Sequence, residues 1–68
     1  MSTNSEGKSG RGVSEVGFSA AARNAVEDYE RQYGIPPEGE PLTLKVLEQY
    51  VTVVNPVRDY IVIVGPGG

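Results

Sequence analysis

Apolar positions along this chain fall into runs of two different periods, separated by polar or proline-containing segments. Phe18, Ala22, Ala25, Val26, Tyr29 and Tyr33 recur at offsets of 0, 4, 7, 8, 11 and 15. On a helix they form one stripe about 100° wide, the width of a core-facing side. Arg23, Glu27, Glu30 and Arg31 fall on the opposite side, and Glu27 to Arg31 is the favourable i, i+4 orientation, worth about 0.2–0.5 kcal/mol. The pattern predicts a helix over Ala20–Tyr33. Ser19 stands where an N-cap accepts from free backbone N–H groups, and Gly34 where a left-handed residue closes a helix. Pro36 and Pro37 prevent its continuation. Alanines on and beside the stripe imply that the helix lies close to whatever it covers.

The other runs read as strands. Val13–Phe18 carries Val13, Val16 and Phe18, with Gly17 weakening the alternation. Leu42–Val54 is longer than the usual 3–10 residues. Its phase drifts: Leu42, Leu44 and Val46 share one face, whereas Leu47, Val51 and Val53 share the other. Such a drift predicts a bulge or a change of packing partner near Leu47-Glu48. Asn55-Pro56 supplies a turn, and Val57–Val64 returns as an antiparallel strand. In that last strand Val57, Ile61 and Ile63 point one way, and Tyr60, Val62 and Val64 the other.

The predicted fold is therefore α+β, in the order β-α-β-β, with a three-stranded antiparallel sheet wrapped on one helix. Residues 1–12, polar apart from the initiator methionine, read as a disordered tail. Residues 13–64 form the single domain, and residues 65–68 a short glycine-rich tail. One helix covers one sheet face and leaves the other in water, where monomers rarely expose apolar patches beyond a few hundred Å². The second layer is expected to be another copy. Tyr60, Val62 and Val64 are read as the assembling face. Glu48 either faces solvent at the bulge or pairs with Lys45 or Arg58, and Glu48 and Arg58 complete the assembly set.

At 68 residues the chain has one small core, and scaffolds of this size usually need disulfides, a metal or association. Neither cysteine nor histidine occurs, which removes disulfides, the usual zinc sites, thiol nucleophiles and imidazole bases. Glu27, Asp28 and Glu30 read as a solvated helix face, and Glu38-Gly39-Glu40 lacks the spacing of a calcium loop. No catalytic residue and no metal site follows, and the chain reads as non-enzymatic. Six basic against nine acidic residues, a formal net charge of −3, contain no basic stripe for nucleic acid. No apolar run approaches the roughly 20 residues of a membrane span, and no secretory signal is visible. A soluble cytoplasmic protein is the expected setting.

The element order resembles that of the dodecin family, small flavoproteins assembled from twelve copies. Val16-Gly17-Phe18-Ser19 is similar to the family's strand-to-helix junction, and Ala20–Val26 to its small-residue helix. Val46-x-Glu48 resembles a step in the second strand, and Arg58-Asp59-Tyr60-x-Val62 a run in the third. The resemblance covers Val13 to Val64 and implies a closed homo-oligomeric shell that binds or stores a small ligand. Flavin, as FMN or riboflavin, is the first candidate by that resemblance. Dodecins stack flavin on a tryptophan near the start of the second strand; this chain has no tryptophan, and Thr43 occupies the approximate position. Thr43, Lys45 and Tyr50 are the candidate ligand-contacting positions: the resemblance supplies Thr43, while Tyr50 carries a ring that could stack on a planar ligand or pack against a neighbouring strand. The alternative is a structural or interaction protein that assembles through its sheet without a ligand.

Overall fold

A computed structural model describes residues 7–67. The elements run β1 (Gly10–Ser14), α1 (Phe18–Tyr33), β2 (Leu44–Val54) and β3 (Val57–Pro66). All pairings are antiparallel in the spatial order β1-β3-β2, so the chain has the α+β, β-α-β-β fold. The last strand is the central one, which accounts for its apolar residues on both faces. The helix lies on β1 and β3 and barely touches β2. The expectation of a sheet wrapped on the helix therefore holds for two strands, and the third stands clear of it.

The first strand begins earlier than its composition suggests. Gly10, Arg11 and Gly12, assigned above to the tail, pair with Val64, Ile63 and Val62. The reason is steric. A methyl added to Gly12 would strike the Ala21 carbonyl oxygen and the Ala25 nitrogen, and one added to Gly10 would lie 2.8 Å from Tyr29 Cβ. Gly10 and Gly12 let the strand backbone rest on the helix backbone, whose facing residues are Ala21 and Ala25, both fully buried. What looks like a flexible tail is the floor of the core. At the other end, Gly65 and Pro66 likewise belong to β3 rather than to a tail; residues 1–6 and Gly68 lie outside the described residues.

Ending β1 at Ser14 moves the helix start. The Ser14 Oγ accepts from the Val16 N–H at 3.0 Å, tightening the turn. The helix then starts at Phe18, with Gly17 at the N-cap position and no side-chain cap, so Ser19 sits inside the first turn rather than capping it. Gly34 closes the helix at φ 96°, its N–H donating to the Glu30 carbonyl at 2.7 Å. The buried stripe comprises Ala21, Ala25 and Tyr29, joined from the sheet by Val62 and Val64, with Phe18, Ala22, Leu44 and Tyr60 at its margin. It is rotated toward Ala21 because the glycines sit there. Phe18 meets Tyr60 edge-to-face at 5.0 Å.

The bulge expected near Leu47-Glu48 is present: the register slips between Val46 and Glu48. Residues directly opposite in an antiparallel ladder share a face. Val46 lies opposite Val64, and beyond the bulge Gln49 lies opposite Val62 and Val51 opposite Tyr60. The extra residue thus restores the phase, so that Leu44, Val46, Val51 and Val53 share the helix side instead of being split between faces. Leu47 is thrown to the other side, over Gly65.

Gly12→Ala is expected to cost more than about 2 kcal/mol through overpacking. Gly17→Ala, with nothing within 4 Å of the added carbon, should stay within about 0.5 kcal/mol of the parent. Thermal denaturation followed by far-UV circular dichroism compares the two; equal stabilities would contradict the close-packing account.

Candidate functional site

Four surfaces compete for a functional role: the two edges of the sheet, the face away from the helix, and a cleft beside the helix C-terminus. The β1 edge is already occupied. Asn24, Asp28 and Gln32 form a column at i, i+4 and i+8 along the helix. The Asn24 side-chain amide donates to the Val13 carbonyl at 2.9 Å, Asp28 Oδ2 accepts from the Arg11 N–H at 2.9 Å, and the Gln32 amide donates to the Ser9 carbonyl at 3.2 Å. These are backbone groups of alternate residues, the ones an edge strand turns outward. Donor, acceptor and donor match carbonyl, N–H and carbonyl in order. An unpaired edge is a template for another strand, and here the chain's own helix covers it.

Asp28 is the centre of that column. The Arg11 N–H, held against its carboxylate, is the main reason its pKa lies below the ordinary 3.8; the Gln32 amide and Arg31 add to the effect, against an opposing desolvation. Asp28 is therefore not one of the idle solvated carboxylates that its neighbours in sequence suggest. Arg31 pairs with it at 3.3 Å rather than with Glu27.

On the face away from the helix the register defines two central rows. Arg11, Ile63 and Glu48 lie side by side across the three strands, as do Val13, Ile61 and Tyr50. Beyond them Thr52 is opposite Asp59, Val54 opposite Val57, and Lys45 opposite Gly65. Val13 is 39% exposed, Leu47 44% and Tyr50 42%, so an apolar patch with charged ends faces outward. On the helix side, β2 also carries exposed Val51 and Val53 beyond the reach of the helix. The second strand is thus apolar and exposed on both faces, and among the described residues no strand pairs with its outer edge.

This arrangement corrects the assignment of faces. Tyr60, Val62 and Val64 lie under the chain's own helix, and Val62 is 1% exposed; they are core rather than an assembly surface. Arg58 also lies on the helix side, opposite Val53, whereas Glu48 is on the outer face opposite Ile63, so the two do not pair. Lys45 and Tyr50 are on the outer face with Glu48, and Thr43 precedes them, its carbonyl accepting from the Gly67 N–H at 2.9 Å. The residues missed by sequence reasoning are Arg11, Val13, Ile61 and Ile63. The odd-residue face of β3 was visible, but nothing in the sequence says which face the helix takes.

The cleft, about 340 Å³ and open on one side, is lined by Lys8, Tyr29, Tyr33, Ile35, Pro36 and Leu42 among others. Lys8 Nζ lies 5.4 Å from the Tyr33 ring centroid. None of Thr43, Lys45 and Tyr50 lines it. Among the described residues no three acidic, histidine or cysteine side chains converge as a metal site would require, and no helix is long and apolar enough to cross a membrane. The Glu38-Gly39-Glu40 carboxylates sit on an exposed turn in which the Glu40 N–H donates to the Pro37 carbonyl. No protein-family model, curated protein or solved structure matches the chain.

A carboxylate whose pKa is depressed by folding stabilises the fold above its unfolded pKa and loses that contribution as pH falls through the folded value. Asp28 should therefore make the protein acid-labile below the ordinary carboxylate range. Asp28→Asn, which keeps a neutral acceptor for the Arg11 N–H, is expected to show a flatter decline of melting temperature below pH 4. Parallel acid limbs for parent and variant would remove Asp28 from this role.

Proposed function

We propose that this chain is a non-catalytic binding module that assembles with copies of itself through the outer sheet face and β2. In this reading a small planar ligand lies at the seam between copies, beside Thr43, Lys45 and Tyr50, with flavin (FMN or riboflavin) as the first candidate. The observation that carries the reading is the exposure of β2: an 11-residue strand, apolar on both faces, which the chain's own helix leaves bare. Small domains bury a low fraction of their surface, and without disulfides the remaining source of stability is association. Two separate apolar surfaces on one subunit support an assembly larger than a dimer, because each surface can engage a different neighbour.

Lys45 and Tyr50 lie on the same side of the same strand. That pairing suits a ligand with a flat ring and an anionic tail: the phenol ring supplies a stacking surface and the ammonium a charge for phosphate. Dodecin-like flavin storage is the form of this reading that the family resemblance suggests. The other reading, a scaffold that assembles without cargo, draws support from the exposed Val13, Leu47 and Tyr50 on the outer face.

Titrating FMN into the purified protein while following flavin fluorescence distinguishes the two. The ligand reading expects saturable quenching at micromolar concentrations and about a tenfold weaker affinity for Tyr50→Ala. Unchanged fluorescence on addition of protein would leave the cargo-free scaffold as the function.

A further inference from the structure

We infer that two copies stack outer face on outer face about a two-fold axis running parallel to the strands, with Arg11 of each copy paired to Glu48 of the other. The inference rests on the assembly reading above and names the partner, the surface and the register. Its basis is the ordering of side chains across the sheet. In one row a cation on β1, an isoleucine on β3 and a carboxylate on β2 stand side by side as Arg11, Ile63 and Glu48. In the next row the order is Val13, Ile61 and Tyr50.

A two-fold axis parallel to the strands places β1 of one copy over β2 of the other and β3 over β3. Arg11 then lies across from Glu48 twice, Val13 across from Tyr50 twice, and Ile63 meets its own counterpart over the buried Ile61. Asp59, near the other end of β3 on this face, also meets its own counterpart, so the Arg11–Glu48 pairs have that one repulsion to offset. An in-plane axis perpendicular to the strands would instead place β1 over β1 and β2 over β2, which separates Arg11 from Glu48. The position of Arg11 and Glu48 at opposite edges of one row therefore favours the axis parallel to the strands. The interface is isologous: residue i of one copy contacts j of the other and j contacts i. Face-to-face sheets pack about 10 Å apart with strands within about 30° of alignment, a gap that arginine and glutamate side chains reaching from opposite sides can close.

Arg11 and Glu48 are both free for this use. The Arg11 contact with Asp28 is made by its backbone N–H, and the ion pair found among the described residues is Arg31 with Asp28. Both side chains belong to exposed residues on the rim of the patch. Rim charges set register and partner choice more than affinity. The self-complementary order of the rows makes a second copy of this chain the fitting occupant, since an unrelated protein would have no reason to match it.

Charge exchange tests the register. Arg11→Glu and Glu48→Arg each create two like-charge contacts, and each is expected to weaken self-association by about tenfold in sedimentation equilibrium. The double variant Arg11→Glu/Glu48→Arg restores opposite charges across the axis and should recover to within about threefold of the parent. Far-UV circular dichroism confirms that each variant is folded. Should Arg11→Glu perturb the strand next to Asp28, the Glu48→Arg variant, which lies on β2, carries the test. Single variants that associate like an assembled parent, or a double variant no better than the singles, overturn the face-to-face register and leave assembly standing. A parent chain that is itself monomeric overturns the assembly reading instead.

Discussion

The contact between the β1 backbone and the helix backbone sets the rest of the molecule. Gly10 and Gly12 admit Ala21 and Ala25 so closely that a methyl group at Gly12 has no room. That approach fixes the helix over β1 and the C-terminal half of β3, and it brings Asn24, Asp28 and Gln32 within reach of the outward backbone groups of β1. A bulkier floor would hold the helix further off and break both arrangements together. Fixed there, a single 16-residue helix cannot also cover β2.

The two edges of the sheet consequently have opposite fates. The β1 edge is sealed by three helix side chains, a form of protection against unwanted strand pairing. The β2 edge, with exposed valines, leucine and tyrosine around it, has no such cover among the described residues. The bulge at Leu47 concentrates this asymmetry. It keeps one apolar row aligned with the helix side while adding Leu47 to the outer face above Gly65. Charges bracket that outer patch in an order that is its own complement under a two-fold axis. Polarity and charge on this side of the sheet are the support for the proposed self-association.

Much of the fold was legible in the sequence because its signals are periodic. The helix, the two-faced last strand and the bulge follow from spacing, and the turn at Asn55-Pro56 from its residue types; that the last strand is the central one does not. The first strand was not legible, since Gly10 and Gly12 carry no side-chain signal, and a glycine-rich polar segment looks the same whether it is a tail or a floor. The role of Asp28 was hidden among neighbouring carboxylates; the column Asn24, Asp28, Gln32 beside Ala21 and Ala25 was the sign available. The two faces of β3 were separated correctly by parity, but which one meets the helix depends on chain direction and strand order. For that reason Tyr60, Val62 and Val64 changed from assembly surface to core. Among the site residues, Glu48, Lys45 and Tyr50 share the outer face, while Arg11 was concealed by its place in the segment read as a tail.

Everything functional in this account depends on the bare surface of β2 and the outer face being covered by other copies. Sedimentation of the unmodified protein across the micromolar range tests that most directly. The account predicts a folded species whose mass is a multiple of the 7.3 kDa chain and falls toward the single chain on dilution. A well-folded 7.3 kDa monomer at every concentration would contradict it.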